Sequence, residues 1–182
     1  MSTTLPAPGA YSIDAGHSYV GFAVKHFGLS KVKGEFQKFE GTINIADPVT
    51  DSSVEVTIQA DSFSSRDDQR DAHVRGADFL DTDNFPTVTF TSTGVRQSGD
   101  DWVVTGDLTI HGQTHSVELE TELEGAIDDP YGMERIAFSA ETEIDRTEFG
   151  LSWNQALETG GLVVGKKVKV SLEVEAVRPK AG

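Results

Sequence analysis

The sequence predicts an all-β protein, and three observations predict it. About eight segments alternate apolar and polar residues with the period of two that puts side chains on opposite faces of a strand. Between them lie short clusters rich in Gly, Asp, Asn, Ser or Pro, the residues of tight turns. One stretch only, Ser62 to Phe85, loses the alternation and reads as helical. The clearest pair of strands runs from Trp102 to Leu123. Trp102, Val104, Leu108 and Ile110 share one face, His111-Gly112-Gln113-Thr114 turns the chain, and Val117, Leu119 and Leu123 share a face opposite Ser116, Glu118, Glu120 and Glu122. This is a hairpin with one wet wall and one apolar wall.

The other elements follow in order. Tyr11-Ser12-Ile13 is a short strand, and Asp14 to Ser18 a turn whose Asp and Ser bond the local backbone. Tyr19 to Phe27 is a strand with apolar residues on both faces, the mark of a strand covered on both sides. Lys31 to Ile45 reads as one long strand. Val32, Gly34 and Phe36 fall on even positions but Phe39, Ile43 and Ile45 on odd ones, so a β-bulge is expected near Gln37–Lys38. Val54, Val56, Ile58 and Ala60 alternate with polar residues. Ser65 is the expected cap of a short polar helix from Arg66 to Arg75, ended by Gly76. Strands resume with Val88 and Phe90, then the hairpin, then Ile136 to Ile144, an irregular stretch from Arg146 to Gly161, and Val168 to Ala176. Antiparallel sheets with one wet face close into a barrel or pair into a sandwich.

Composition narrows the function. The chain has 182 residues, 37% of them hydrophobic, enough for one domain with its own core. It has no cysteine, hence no disulfide and no thiolate chemistry. The net charge of −15 argues against nucleic acid and, for the chain as a whole, against an anionic membrane surface. No run approaches the roughly 18 apolar residues of a membrane span, so no stable membrane insertion is expected. Residues 1–9 lack a basic region and an apolar run, and are expected to be a flexible arm on a cytoplasmic protein. The domain is then 10–178, with a tail at 179–182.

Several stretches, in this order, resemble the YceI-like family of lipocalin-like proteins. They are Ile13-Asp14 with His17-Ser18, Phe22 to His26, Val32 to Phe36, Arg70-Asp71 with His73, Asp78 to Asp81 with Phe85-Pro86, Gly106 to Gly112, and Asp145-Arg146 with Phe149 to Leu151. The resemblance covers Tyr11 to Val177. It implies an extended antiparallel eight-stranded lipocalin-like barrel with a short helical insertion. It implies an apolar tunnel for an isoprenoid chain, such as a polyprenyl phosphate or a quinone tail, and no catalysis. It also allows a homodimer.

Candidate ligand-binding residues follow. Phe22, Phe36, Phe79, Phe90, Trp102, Phe138, Phe149 and Trp153 are core in a generic β-domain. The resemblance instead makes their inward members, with Leu108 and Ile110, the walls of a tunnel. Arg70, His73 and Arg146 are the candidates to meet an anionic or polar head group, since the guanidinium fork suits phosphate. Ion pairs with Asp67, Asp71, Asp78 or Asp145 are the alternative. His111 and His115 stand four apart across a turn, and no carboxylate–histidine signature accompanies them, so no metal site is expected. Asp14, His17 and Ser18 read as a capped turn rather than a catalytic set. The expected function is binding of a long apolar isoprenoid for carriage, storage or sequestration, with no other cofactor. The alternatives are a lipid-modifying enzyme at the barrel mouth and a stress-response module with a dry core.

Overall fold

The computed structural model describes residues 4–181. Its strands are β1 (Gly9–Ile13), β2 (Tyr19–His26), β3 (Ser30–Phe36), β4 (Phe39–Ile45), β5 (Ser53–Gln59), β6 (Phe63–Ser64), β7 (Thr87–Ser98), β8 (Asp101–Ile110), β9 (Gln113–Asp128), β10 (Met133–Asp145) and β11 (Val164–Pro179), with one α-helix, α1 (Asp68–Arg75). Eight of these strands close a ring in the order β1-β4-β5-β7-β8-β9-β10-β11 and back to β1, every pairing antiparallel. Closure removes the sheet edges that an open sheet would leave unpaired. The sixteen-residue β11 outlasts its neighbour, pairing with β2 through Val168–Glu173 and with β1 at Ala176 and Val177. The short strands β2, β3 and β6 continue the sheet from that half of β11.

The opening hairpin is β8–β9, and its turn is shorter than expected. Ile110 pairs with Gln113 and Thr109 with Thr114, leaving a loop of His111 and Gly112 alone. Both have positive φ, 54° and 70°, the backbone twist that suits a two-residue hairpin loop.

Two local expectations are corrected. The predicted bulged strand from Lys31 to Ile45 is two strands. Ser62 Oγ accepts the N–H groups of Gln37 (3.2 Å) and Lys38 (3.0 Å), which takes these donors out of the ladder. The phase change is therefore a change of partner: β3 stays with β2, and β4 pairs with β1 and β5. The helix starts at Asp68 rather than Arg66, and its cap is Asp67, whose carboxylate accepts Arg70 N–H at 2.9 Å. Arg66 has φ 64° and breaks the helical path before it. Ser65 is buried and donates its N–H (2.8 Å) and hydroxyl (2.5 Å) to Asp71. Gly76 ends the helix as expected.

The N-terminal segment is tied down before β1 begins. Pro6 is buried, Tyr11 donates its hydroxyl to Ala7 O (2.8 Å), and Arg178 donates to Pro8 O (2.6 Å). The arm expected over 1–9 therefore ends earlier than Gly9, and residues 1–3 of it lie outside the described residues. Two apolar clusters pack within the barrel. One, at the α1 end, includes Val20, Ile58, Phe63, Leu80, Ile110 and Phe149; the other includes Tyr11, Ile43, Ile45, Ile136 and Ala176.

Candidate functional site

Between the two clusters the inward faces do not meet. Inward residues of β1, β2, β4, β5, β7, β8, β9, β10 and β11 enclose a cavity of about 200 Å³. Its walls include Val54 and Val56 of β5, Phe90 of β7, Trp102, Val104 and Leu108 of β8, Val117, Leu119 and Leu123 of β9, Phe138 of β10, and Val170, Leu172 and Val174 of β11. Among the described residues, Ser52, Thr121 and Thr142 are the only lining residues with hydroxyl groups, and no charged residue lines it. Leu5, Pro6, Val49, Val95 and Trp102 mark the end that opens, beside the turn at Gly99. The other end stops on Val20, Ile58, Leu108 and Leu172, which pack with the α1-end cluster.

Local sequence explains the shape of the wall. Gly106 faces inward between Val104 and Leu108, and a Cβ there would meet the Phe90 ring at 2.4 Å and Thr91 O at 2.7 Å. The missing side chain lets Phe90 lie flat over β8. On β11 the alternation also holds: Val168, Val170, Leu172 and Val174 are half-buried, and Lys167, Lys169 and Glu173 are exposed.

The candidate residues divide into three groups. Phe90, Trp102, Leu108 and Phe138 line the cavity. Phe22, Phe36, Ile110 and Phe149 belong to the α1-end core, where Phe22 stacks on Phe63 (ring centroids 5.2 Å) and lies 5.7 Å from Phe36. Phe79, Trp153 and His73 form a third set under α1, with His73 4.7 Å from Trp153 and Phe79 5.4 Å from it. The cavity walls Phe39, Ile43, Val54 and Val56 were visible in the alternation of their strands. Leu5 and Pro6 left no such signal.

The three candidate head-group residues stand at the α1 end, away from the open mouth, and each has a partner within the fold. Arg146 is buried, and its guanidinium donates to the carbonyls of Gly165 (2.8 Å), Leu151 (2.5 Å), Trp153 (3.0 Å) and Val164 (3.3 Å). Burial lowers its pKa, against the pull of Asp145. The fork closes the irregular pairing in which Val164 meets His26 but Val168 meets Val24. Arg70 donates to Ser65 Oγ (2.8 Å) and Ser65 O (2.9 Å), and His73 bonds Asp78 (3.0 Å). Arg146 was expected to have Asp145 as its alternative partner; Asp145 instead accepts from Thr147 N–H and hydroxyl, which lower its pKa.

Asp14, His17 and Glu175 bring three ligand atoms within 4.8 Å of one another. A cation already sits among them: Arg135 donates to Asp14 (2.8 Å) and Glu175 (2.7 Å), and reaches Asp129 at 3.2 Å. The hydrogen bond from Arg135 holds the Asp14 carboxyl below its usual range.

A polar cleft lies in the wall. The β9–β10 ladder runs from Asp128↔Glu134 to Glu120↔Glu141 and stops. Beyond it β9 pairs only with β8, and β10 only with β11. The two strands splay around a cleft of about 340 Å³ lined by polar groups, among them His115, Glu118, Glu143, Glu148 and Lys167. The turn Arg146–Phe149 packs there, with His115 Nε2 bonded to Glu148 O at 2.8 Å. Val117 and Thr142 belong to both the cleft and the cavity.

A closed antiparallel barrel with an apolar cavity between its strands is a lipocalin-like architecture. The chain belongs to the YceI-like domain family, which matches residues 11–176. It is 38% identical over 174 residues to Protein YceI of Escherichia coli O17:K52:H18, covering 93% of this chain and 87% of that one. Among solved structures it resembles the Campylobacter jejuni YCEI protein (28% identity, TM-score 0.72, 86% of this chain and 90% of that). It shares its fold with a polyisoprenoid binding domain from Saccharophagus degradans implicated in plant cell wall breakdown (18% identity, TM-score 0.70, 93% of this chain and 98% of that).

Proposed function

We propose that this protein holds one long apolar isoprenoid in its barrel, for carriage, storage or sequestration, and does not alter it. The observation that carries the reading is the cavity wall: among the described residues it is hydrocarbon from nine strands, with three hydroxyl-bearing residues and no charge. A flexible chain without polar atoms fits such a wall, because each buried CH₂ contributes about 0.8 kcal/mol and leaves no hydrogen bond unmade. The polyisoprenoid binding of the Saccharophagus relative supports the isoprenoid class. A lining that, among the described residues, is hydrocarbon with three hydroxyl-bearing residues supports binding without chemistry.

Arg70, His73 and Arg146 bond partners in the fold. Recognition therefore rests on the hydrocarbon tail, and a neutral head such as a quinone is held as well as a phosphate. Native mass spectrometry of the freshly purified protein, followed by solvent extraction, tests the reading. The expected result is one lipid per chain with an isoprenoid fragmentation pattern. A protein that retains no lipid, and takes up neither a prenyl alcohol nor a quinone when offered them, overturns it.

A further inference from the structure

The charge of −15 is not spread evenly. Six of the chain's eight lysines, Lys25, Lys31, Lys33, Lys166, Lys167 and Lys169, lie on β2, β3 and the start of β11. The register puts Lys31 beside Lys25, and Lys33 and Lys169 on either side of Ala23, so these lysines share the outer face. Carboxylates reach part of the set: Lys169 pairs with Glu141 at 3.7 Å, Lys166 and Lys167 lie near Asp145, and Glu143 stands opposite Lys169. Glu35 lies on β3 beyond Lys33. Among the described residues Lys25, Lys31 and Lys33 make no ion pair within 4.0 Å with any of these acids.

The same corner carries exposed hydrocarbon. The loop joining β2 to β3 is Phe27-Gly28-Leu29, with Leu29 89% and Phe27 46% exposed. Leu162, 43% exposed, stands beside them, since Phe27 N–H donates to Val163 O at 2.9 Å. Phe27 has φ 54°, a conformation that favours Gly or Asn and is strained for a bulky aromatic. The turn thus keeps a large apolar residue at a position where its backbone disfavours one.

We infer that this corner is a docking surface for an anionic lipid bilayer, with Phe27, Leu29 and Leu162 entering the interface and the lysines meeting the head groups. The patch is a projecting loop tip with a cationic skirt, a shape that enters a soft surface rather than one that receives a helix or strand. The whole-chain charge opposes such contact, but at physiological salt charges act over about 8 Å, so the local patch governs. The inference rests on the lipid-binding reading for its purpose: Lys167 also lines the cleft that shares Val117 and Thr142 with the cavity, so a docked bilayer stands beside that cleft.

Co-flotation with phosphatidylcholine vesicles, with and without phosphatidylglycerol, tests it on the full chain. Binding is expected only with phosphatidylglycerol, and should weaken as salt is raised. The double substitution Lys31→Glu and Lys33→Glu should cut the partition coefficient by about tenfold or more, at about 1 kcal/mol per lysine near the surface. Leu29→Ser should weaken binding even at low salt. These residues are exposed, and unchanged circular dichroism and unchanged co-purified lipid separate a docking defect from misfolding or loss of cargo. Equal partition to the two vesicle types, no partition to either, or variants that bind phosphatidylglycerol as wild type does would overturn the inference. So would binding to soluble polyglutamate with no vesicle binding, which would make the corner a site for an acidic protein.

Discussion

Phe138 and Phe149 stand eleven positions apart, yet their environments differ in kind. Phe149 is 1% exposed within the α1-end core, while Phe138 is half-buried and borders the cavity. Truncating Phe149 to Ala opens a new void and should cost about 3–5 kcal/mol with or without lipid. Truncating Phe138 enlarges space that is already open, so the lipid-free cost should be about 1–2 kcal/mol. With lipid bound the Phe138 cost should rise, because the variant binds less well and loses stabilisation by mass action. Denaturation midpoints of both variants, loaded and delipidated, check this; equal losses for Phe138→Ala in the two states would show a packed interior. Arg146→Ala should leave four carbonyls without their donor and cost about 3 kcal/mol or more. The relative affinity for a prenyl alcohol and a prenyl phosphate should not change. A variant that keeps its stability but loses the phosphate alone would return Arg146 to the head group.

At the scale of elements, β8 depends on a glycine. Gly106→Ala places a methyl against the Phe90 ring and the Thr91 carbonyl. It should cost about 1–3 kcal/mol and push the ring into the cavity, weakening lipid uptake beyond what the stability loss explains. Titration of delipidated variant and wild type at matched folded fraction checks it. Helix α1 has eight residues and buries only Asp71. Its amides should exchange faster than those of β8, which is paired on both sides. Equal protection in a hydrogen-exchange time course would mean that α1 belongs to the same cooperative unit as the barrel.

The whole barrel is closed in part by charge at the seam of β1, β10 and β11. Arg135 on β10 holds Asp14, just after β1, and Glu175 on β11. The folded pKa of Asp14 lies below the usual 3.8, chiefly through its hydrogen bond to Arg135. Its contribution is therefore fully present above about pH 4 and lost as pH falls through the lower folded value. Thermal midpoints should be level in this contribution above that pH and fall below it, and Asp14→Asn should flatten the acid limb. An unchanged limb would place acid sensitivity elsewhere.

The alternation of Trp102 to Leu123 and of Val168 to Val174 determined the strands, their inward faces and the walls of any interior, because period two is a property of the single strand. The order of motifs from Ile13 to Leu151 carried the family. Tertiary structure decided what no local pattern encodes. Ser62 reaches back to Gln37 and Lys38 and turns an expected bulge into a break. Arg146, a phosphate ligand by chemistry alone, finds four carbonyls, two in the segment just after it and two at the start of β11, and bonds them instead. Phe22 and Phe90 are alike as strand aromatics, and only the meeting of strands across the barrel makes one a plug and the other a wall. Whether a cavity remains depends on the summed volume of side chains from many strands, a quantity fixed only when the ring closes.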